Sequence, residues 1–370
     1  IEDNAAASQG GGVWRGTLTH TVLRGNQVPQ EGGGAVSSVL QDCHLEHNTA
    51  GSGGGAAYAI LTDCVLNQNT SSAHGGGGGA LASTLDRCVL TYNDATHGAG
   101  ASESTLTRCL LRGNRANHGA GAFRGTLHQC RLEDNRASDT GGGASSATLV
   151  SCALVGNRGA RGGGVWGGTM TNCTLVDCHG GGAQAATLYN CILWDNAGYD
   201  YWMDCALHYS CARPRAAGEG NTDADPQLLP DRIHLASTSP CRNAGASAYR
   251  AETDIDGQTW DAPPSQGCDE WHPEPVTLSP PAWQPRSGAS PGLVWTTPAV
   301  GQPPFEFQWL REGAPLAASP RHIGERSATM TIQPLMPDDA GRYQVVISNA
   351  FGAITSAVTR LAIHCVDAAA

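Results

Sequence analysis

Eight cysteines recur at nearly regular intervals in the first half of the chain, and thiols can bind metal ions or carry redox chemistry. The intervals between them are 21, 24, 21, 21, 22, 21 and 18 residues. A metal site needs several ligands at one point, whereas one cysteine per repeat forms a column. We therefore expect buried, inert thiols, too far apart along the column for disulfides. The column consists of Cys43, Cys64, Cys88, Cys109, Cys130, Cys152, Cys173 and Cys191.

Paired carboxylates are a second candidate for chemistry, because two of them can hydrolyse a glycosidic bond. Asp42 and Asp63 both precede a cysteine of the column, in neighbouring repeats. The same position continues as Arg87, Arg108 and Gln129, which is typical of a solvated surface. We therefore expect no enzymatic activity, with a polysaccharide lyase or hydrolase as the weaker alternative.

Three arginines occupy one position in successive repeats, at Arg115, Arg136 and Arg158. Stacked like charges repel each other unless an anion shares their face. An anionic glycan or a neighbouring chain's carboxylates could supply it. The interpretation narrowly favoured is that acids of the same chain do so, namely Asp94, Glu133 and Asp134. The three arginines are candidate binding residues.

Aromatic and histidine side chains offer further contact residues. Trp14, Phe123 and Trp166 each follow the small residue after a glycine cluster, and we expect them to point outward. They lie on non-adjacent repeats, so they form no continuous track for stacking sugars, but exposed aromatic rings indicate a contact surface. His97 and His118 also stack and could chelate a metal weakly, although exposed corner residues are the favoured interpretation.

The elements that position these residues are short strands. An asparagine follows each cysteine of the column by five residues, except where Cys178 stands in its place, and a glycine cluster recurs in step. A period near 21 indicates a solenoid. The unit Thr-Leu-x-x-Cys-x-Leu-x-x-Asn alternates inward and outward residues, and its glycines disfavour a helix. We predict a right-handed parallel β-helix of about nine coils over residues 1–196, with buried asparagines that bond the neighbouring coil's backbone.

Composition excludes several functions. The net charge is −11 and all 22 basic residues are arginine, which rules out a catalytic lysine and argues against general nucleic-acid binding. The sequence has no apolar run long enough for a membrane span and no signal-peptide pattern. The first residues, Ile1-Glu2-Asp3-Asn4, match the end of a coil, so we expect that upstream sequence is missing.

Beyond Asn196 the repeat decays into an irregular cap, predicted at 197–272. It contains Asp-Ala-Asp-Pro, Ser-Pro-Cys-Arg-Asn-Ala-Gly, Thr-Asp-Ile-Asp-Gly and Gly-Cys-Asp-Glu-Trp in that order. Residues 1–272 thereby resemble bacterial surface β-helix proteins of the choice-of-anchor type, related in style to polymorphic outer-membrane protein repeats. The resemblance implies a secreted, cell-surface-associated protein. Cysteines depart from the family pattern in the cap, and the candidate disulfides are Cys241–Cys268 and Cys205–Cys211, which an extracellular compartment would permit.

Aspartates in the cap are candidates for calcium binding. Asp254 and Asp256, with Asp223 and Asp225 as companions, carry the oxygen ligands that Ca²⁺ prefers. Asp-x-Asp-Gly is equally a turn sequence and lacks the rest of an EF-hand loop, so a turn is the favoured interpretation. We expect no other cofactor.

A third region, predicted at 275–367, follows a proline-rich join. It contains Trp309 and the Asp-x-Gly-x-Tyr motif at Asp339, Gly341 and Tyr343. With these residues the region resembles an immunoglobulin-like domain, in which a tyrosine forms a corner before a strand. The usual inter-sheet cysteines are absent, because Trp295 and Val345 stand near their places. The resemblance implies a β-sandwich whose packing replaces the disulfide. Cys365 is then an odd thiol, either buried or available to another chain.

Together these features predict a non-enzymatic structural or adhesive protein located extracellularly or at the cell surface. Self-association through the β-helix end and the immunoglobulin-like domain into a fibre would suit this architecture. Other surface proteins or glycans are the expected partners, with no nucleic acid and no membrane span. The alternative is a glycan-binding or polysaccharide-acting β-helix protein.

Overall fold

The computed structural model describes residues 1–72, 75–202, 204–272, 277–278, 282–286, 292–297, 299–301, 304–317, 319, 321–349 and 351–361. The described part is almost entirely β-structure. Internal contacts divide the chain into two units, residues 1–270 and 271–370, and each is described by itself. The predicted coils and the predicted cap up to residue 270 fall in the first unit, while residues 271–272 of the cap and the predicted sandwich fall in the second.

The first unit is a β-solenoid of about nine turns built from three parallel faces. The first face starts at the small residue after each glycine cluster: Val13–Trp14, Ala35–Val36, Ala56–Ala57, Ala80–Leu81, Ala101–Ser102, Ala122–Phe123, Ala144–Val150, Val165–Thr171 and Ala183–Gln184. Two of these strands, Ala144–Val150 and Val165–Thr171, run on into the second face.

The other strands of the second face carry the Thr-Leu pair of the repeat: Thr17–Thr19, Val39–Gln41, Ile60–Thr62, Thr84–Asp86, Thr105–Thr107, Thr126–His128, Thr187–Tyr189 and Ala206–His208. The third face is a ten-stranded parallel sheet: Val22–Arg24, His44–Glu46, Val65–Asn67, Val89–Thr91, Leu110–Arg112, Arg131–Glu133, Ala153–Val155, Thr174–Val176, Ile192–Trp194 and Cys211–Ala212. Two short parallel pairs complete the coils: Thr49–Ala50 with Thr70–Ser71, and Arg115–His118 with Arg136–Thr140.

The faces meet at sharp corners that repeat in every coil. The residue before the cysteine adopts a left-handed conformation, with φ of 54° at Asp63 and 53° at Arg108. Such a conformation costs an ordinary L-residue roughly 1–2 kcal/mol. The glycine clusters are required for a different reason, which is the close approach of neighbouring coils. A Cβ on Gly121 would lie 2.4 Å from the carbonyl oxygen of Gly143 in the next coil. Stacked coils therefore require glycine at that position.

An asparagine ladder fills one interior corner. The Asn114 backbone N–H and Nδ2 both donate to Asn135 Oδ1, at 3.1 and 2.9 Å, and Nδ2 also donates to the Leu90 carbonyl at 3.0 Å. Each asparagine thus ties three coils together, which confirms the predicted role. The ladder runs through Asn26, Asn48, Asn69, Asn93, Asn114, Asn135 and Asn157.

The cysteine column is a second interior ladder, and its thiols are free and buried as predicted. The Cys88 backbone N–H donates to Cys109 Sγ at 3.4 Å, and Cys109 Sγ donates to the Thr107 carbonyl at 3.2 Å. Burial raises the pKa of the Cys130 thiol well above its usual value, which favours the unreactive thiol form. The column packs the core and offers no exposed nucleophile.

Coil stacking continues past the predicted end at Asn196. Strand Ala206–His208 pairs with Thr187–Tyr189, and Cys211 pairs with Ile192. The chain then becomes irregular, with one 3₁₀ helix at Ser247–Tyr249.

The two candidate disulfides of the cap are not formed, because Cys205, Cys211, Cys241 and Cys268 are free thiols. Cys211 is drawn into the last coil, where its thiol donates to the Ala224 carbonyl at 3.2 Å, and the nearby Cys211 raises the pKa of Cys241. Cys268 instead covers the outer side of the third face, packed against Ala153. The cap therefore brings Cys241 to a different cysteine from the one predicted.

The second unit contains antiparallel sheets, as predicted. A four-stranded sheet comprises Ala282–Arg286, Gly292–Thr296, Thr329–Ile332 and His322–Ile323. A five-stranded sheet comprises Ala314–Pro315, Glu306–Arg311, Gly341–Asn349, Gly352–Thr355 and Thr359–Leu361. Thr277–Leu278 pairs with Ala299–Val300, and a 3₁₀ helix covers Pro337–Asp339.

The sandwich core is built on aromatic rings. Trp295 stacks on Trp309 with ring centroids 5.9 Å apart, and it also contacts Tyr343 at 4.6 Å. The Tyr343 hydroxyl donates to the Asp339 carbonyl at 2.8 Å, which is the predicted tyrosine corner. Trp295 thus fills the space of the missing disulfide. Cys365 and the end of the predicted domain lie outside the described residues.

Candidate binding surface

The three arginines of the repeat form an exposed column on the coils, here called the arginine ladder. Arg115 is in register with Arg136 in a short parallel pairing, and Arg136 is in register with Arg158. All three side chains are exposed. Asp94 and His179 occupy the positions before and after them in the same column. The structure thus brings together the predicted binding arginines.

Two of the three acids expected to neutralise the arginine ladder have other partners. Glu133 forms an ion pair with Arg131 at 2.8 Å. Asp134 lies 3.5 Å from Arg112. Within the described part of the chain, no carboxylate lies within 4.0 Å of a guanidinium nitrogen of the ladder. The third acid, Asp94, is different, because it lies next to Arg115 in the column. Burial raises the pKa of Asp94, and Arg115 acts to lower it. The chain's own acids thus offset part of the charge at Arg115, while Arg136 and Arg158 form no ion pair among the described residues.

The support beneath the ladder is rigid and its surroundings are polar. Ala116 and Ala137 follow the first two arginines and are buried in a small alanine cluster. Two residues along each strand, Asn117 and Ser138 are exposed, and the Ser138 hydroxyl donates to Asn117 Oδ1 at 3.0 Å. Guanidinium groups beside amide and hydroxyl groups can bind anionic and hydroxylated ligands together.

The predicted outward aromatic residues differ in exposure. Trp14 is 57% exposed, and the Arg15 guanidinium lies 4.7 Å from its ring centroid. Phe123 and Trp166 are only partly exposed. Phe123 is covered by Arg124, at 4.9 Å from its ring centroid. Of these three residues, Trp14 alone is largely exposed, so the three do not form a shared site.

The stacked histidines are confirmed as neighbours. The His97 and His118 rings lie 5.2 Å apart and nearly parallel. Burial and the neighbouring His118 lower the pKa of His97 below its usual value. His118 Nδ1 also lies 2.9 Å from the Thr140 hydroxyl. Because the two rings are stacked, their nitrogens lie in nearly parallel planes. The nitrogens of the two rings therefore do not converge on one point where an ion could bind.

The stacked carboxylates do not form a catalytic pair. Asp63 is held by Arg87, with oxygen–nitrogen distances of 2.7 and 2.9 Å, and Asp42 lies 2.7 Å from His20 Nδ1. Each acid thus has its own basic side chain as a partner at an exposed corner.

An open depression of about 420 Å³ crosses the first coils. Among its described lining residues the one carboxylate is Glu31, which is bonded to Tyr58 and Gln9 at 2.9 Å each. Glycoside hydrolysis uses two carboxylates. The depression is lined by Gln9, Pro29, Gln30, Glu31, Gly51, Ser52, Ser72 and Gly75.

The aspartates considered for calcium separate into different roles. Asp254 is fully buried, and its Oδ1 accepts from the N–H groups of Asp256 and Gln258 at 3.0 and 2.7 Å. Burial raises the pKa of Asp254 to about 8. This is the turn chemistry that the sequence favoured. Asp223 and Asp225 are exposed and lie near Cys211 and Cys241 instead.

A cluster that the sequence did not predict surrounds Asp256. His234 Nε2 lies 2.9 Å from Asp256 Oδ2, and His234 Nδ1 lies 2.5 Å from Asp231 Oδ2. Burial opposes the charged form of His234, but the hydrogen bonds to both aspartates raise its pKa well above the usual value. Burial also raises the pKa of nearby Asp269 to about 7. In the sequence, the Asp-x-Asp-Gly motif was the one indication of a site in this region. The other members of the cluster, Asp231, His234 and Asp269, lie in segments without a repeating pattern that could place them.

Comparisons with known proteins match parts of this chain. Residues 293–361 match the family model described as Immunoglobulin I-set domain. The chain is 38% identical over 64 residues to Contactin-5 of Danio rerio and 37% identical over 62 residues to Contactin-5 of Mus musculus. Each match covers 17% of this chain and 6% of the relative. The chain therefore spans a small fraction of the curated relatives it matches.

Solved structures give weaker likenesses. Extracellular domains 3-5 of Drosophila OTK are 21% identical with a TM-score of 0.21, covering 24% of this chain and 31% of that one. The Dscam1 Ig7 domain, isoform 5, is 15% identical to this chain with a TM-score of 0.19. The match covers 24% of this chain and 97% of the Dscam1 domain. TM-scores this low carry no functional argument. Among the described residues, no helix is long and apolar enough to cross a membrane.

Proposed function

We propose that this chain is a non-enzymatic adhesive protein of the cell surface or the extracellular space, and that its coils bind an anionic glycan. The observation that carries the proposal is the arginine ladder, in which Arg115, Arg136 and Arg158 form no ion pair within 4.0 Å among the described residues. Asp94, next in the column, offsets part of the charge of Arg115 only. The immunoglobulin-like domain would supply contacts to other surface proteins.

The energetics of the arginine ladder favour an anionic ligand. Neighbouring coils are ~4.8 Å apart, and two unit charges at that separation repel by about 1 kcal/mol even in water. A ligand with negative charges along its length would relieve this repulsion and form charge-assisted hydrogen bonds. An extended polysaccharide that carries carboxylate or sulfate groups has the required repeat of charges along one line.

The proposed location draws on both units. Sandwiches of the immunoglobulin type occur in many cell-surface domains, and residues 293–361 match the I-set model. The similarity to Contactin-5 extends over 64 residues, about the length of the region that matches the I-set model. The resemblance of residues 1–272 to bacterial surface β-helix proteins, which is an inference from sequence motifs, supports the same location.

The non-enzymatic part of the proposal rests on the carboxylates. Asp42 and Asp63 contact different side chains, His20 and Arg87, and the open depression offers one carboxylate, Glu31, among its described lining residues. Neither arrangement supplies the acid and base that glycoside hydrolysis needs.

A glycan array tests the proposed function. We expect the full chain to bind anionic glycans and not neutral ones, with binding that weakens as salt is raised. Arg136→Ala should reduce affinity about tenfold or more, because a hydrogen bond to a charged group contributes roughly 1.5–3 kcal/mol. Arg131→Ala is the matched control, since it removes an exposed arginine from the same coil that is already paired with Glu133. Equal loss in both variants, or binding to neutral glycans alone, would refute the role of the ladder.

Self-association is a second candidate, favoured by a different surface. Exposed apolar side chains gather on the first three coils, and Val39 and Ile60 are in register on neighbouring strands. Such residues are typical of contact surfaces. Negative-stain electron microscopy with a solution size measurement tests it. Filaments that disappear in Ile60→Asp would support an assembly, whereas single rods at all concentrations would exclude it. The exposed residues are Trp14, Val39, Tyr58 and Ile60.

A further inference from the structure

A second cluster of polar side chains lies in the cap, separate from the arginine ladder. Its members, His234, Asp256 and Asp269, come from three segments that are distant in sequence. The cluster is held against the coils, because Cys268, next to Asp269, packs on Ala153 of the third face. The three side chains are therefore fixed by a folded scaffold and do not belong to one mobile loop.

The ligand atoms of these three residues converge. His234 Nε2 and Asp256 Oδ2 are 2.9 Å apart, and one ligand atom from each of the three residues lies within 4.8 Å of the other two. His234 and Asp269 are buried, whereas Asp256 is exposed. The group thus has two fixed ligands inside and one at the solvent side, which leaves a path of entry.

Asp269 independently indicates a cation-binding position. Its carboxylate is fully buried, and Oδ2 accepts from the Leu235 N–H at 2.8 Å. Oδ1 is buried as well, but it accepts no hydrogen bond from any residue that the structure describes. Buried carboxylate oxygens are normally paired or bound to a metal. The residue that carries this unpartnered oxygen belongs to the same cluster as His234.

His234 is also oriented as metal-binding histidines are. Its Nδ1 faces Asp231 Oδ2 at 2.5 Å, while Asp231 Oδ1 accepts from the N–H groups of Ile233 and His234 at 3.0 and 3.1 Å. A carboxylate that accepts the Nδ1 proton fixes the imidazole ring and leaves Nε2 as the ligand atom. Asp231 is thus a positioning residue for His234.

We infer that His234, Asp256 and Asp269 bind a divalent transition-metal ion, with Zn²⁺ as the fitting occupant. The site combines one imidazole nitrogen with two carboxylates, a set that Zn²⁺ accepts. Calcium prefers six to eight oxygen ligands, which this cluster does not offer. On binding, the ion takes the place of a proton at His234 Nε2, and that proton passes to solvent.

Binding requires a small contraction of the cluster. Zinc lies about 2.0–2.2 Å from nitrogen and oxygen ligands, so neighbouring ligand atoms in a tetrahedral site are ~3.3 Å apart. The present spread of up to 4.8 Å must therefore shrink. Asp256 can supply this movement, because it is exposed and lies in the turn closed by the Thr253–Thr259 bridge.

Isothermal titration of the metal-free full chain with ZnCl₂ tests the site. We expect one Zn²⁺ per chain, and an affinity at least about tenfold lower in His234→Gln and in Asp256→Asn. Zinc should also raise the melting temperature of the wild-type chain, because it binds the folded state. Asp256→Asn is the more informative variant, since an exposed position tolerates the change and the variant's melting temperature without metal reports whether it folds.

Two control variants separate this site from other sources of binding. Asp223→Asn removes an equal charge from an exposed position of the cap and should leave zinc affinity unchanged. His118→Gln removes the stacked histidine pair and should also leave it unchanged. Unaltered affinity in Asp256→Asn, loss of affinity in His118→Gln, or binding of Ca²⁺ in preference to Zn²⁺ would each overturn the inference.

Discussion

The coils and the immunoglobulin-like domain bury their interiors in different ways. In the coils, every turn contributes the same small set of side chains, and a residue such as Asn114 contacts the turns on either side. In the sandwich, a single group of large rings at Trp295, Trp309 and Tyr343 fills the centre. Stability is thus shared between neighbouring turns in the coils and concentrated at one point in the sandwich. A local change should therefore have a local effect in the first unit and a general effect in the second.

Removal of one core ring should have the largest effect. Trp309→Ala is expected to cost about 3–5 kcal/mol and to abolish the unfolding transition of the immunoglobulin-like domain. Differential scanning calorimetry, with limited proteolysis to identify the unfolded region, measures it. Ile323→Ala is the control, because that side chain is exposed. A shift of the coil transition by a similar amount would contradict the independence of the two units.

Removal of one step of the asparagine ladder should have a smaller and local effect. Asn114→Ala takes the acceptor from the N–H and Nδ2 groups of Asn93 and the donor from the Leu90 carbonyl. Because such groups are buried, we expect a loss of about 2–4 kcal/mol. Hydrogen-exchange mass spectrometry should show faster exchange in adjacent coils only. Asn117→Ala, at an exposed position of the next strand, should change little, and fast exchange throughout the solenoid would contradict shared stability.

The sandwich also depends on one buried charge. Burial opposes ionisation of Asp339, but the ion pair with Arg321 at 2.8 Å and the Met336 N–H lower its pKa below the usual value. A lowered folded-state pKa stabilises the domain above the unfolded value, near 3.9, and that stability is lost as pH falls through the folded-state pKa.

Urea unfolding at several pH values measures this contribution. The midpoint of the immunoglobulin-like domain should fall in acid below about pH 4. Asp339→Asn should lower the free energy of unfolding at pH 7 by about 1–3 kcal/mol. The variant's free energy of unfolding should also depend less on pH in acid. A variant with the wild-type pH profile would show that Asp339 does not carry the effect.

Removal of a ladder arginine should have the smallest effect on stability. Arg136→Ala deletes an exposed side chain without a carboxylate partner among the described residues, so we expect a change within about 0.5 kcal/mol. A small gain is the expected sign, because repulsion along the column is relieved. Thermal unfolding measures it. A loss above 1 kcal/mol would mean that Arg136 supports the fold, and the glycan result would then lose its meaning.

The coils were predictable because, in a stacked solenoid, the spacing of residues in the sequence determines which residues lie next to each other in space. Identical residues about 21 positions apart must lie above one another, so the columns of Cys109, Asn114 and Arg115 followed from the sequence. The sandwich was predictable from Trp309 and Tyr343, whose neighbours mark their roles. The choice of ion-pair partners was not predictable, since sequence spacing does not say which arginine the Glu133 side chain contacts.

The cap was the least predictable region, for a physical reason. Its segments are joined by irregular turns, so sequence distance gives no register between them. The contact of Cys211 with Cys241 and that of His234 with Asp256 depend on the path of these turns. The Asp-x-Asp-Gly sequence located a turn at Asp254, but nothing in it indicated the histidine.

The most direct test of glycan binding by the coils is a hydrogen-exchange footprint of the full chain with an anionic oligosaccharide selected on the array. We predict slower exchange in the peptides that contain strands Arg115–His118 and Arg136–Thr140, and unchanged exchange in the immunoglobulin-like domain. The footprint should vanish in Arg136→Ala and persist in Arg131→Ala. Protection confined to the immunoglobulin-like domain, or to coils away from the arginine ladder, would contradict the proposed function of the ladder.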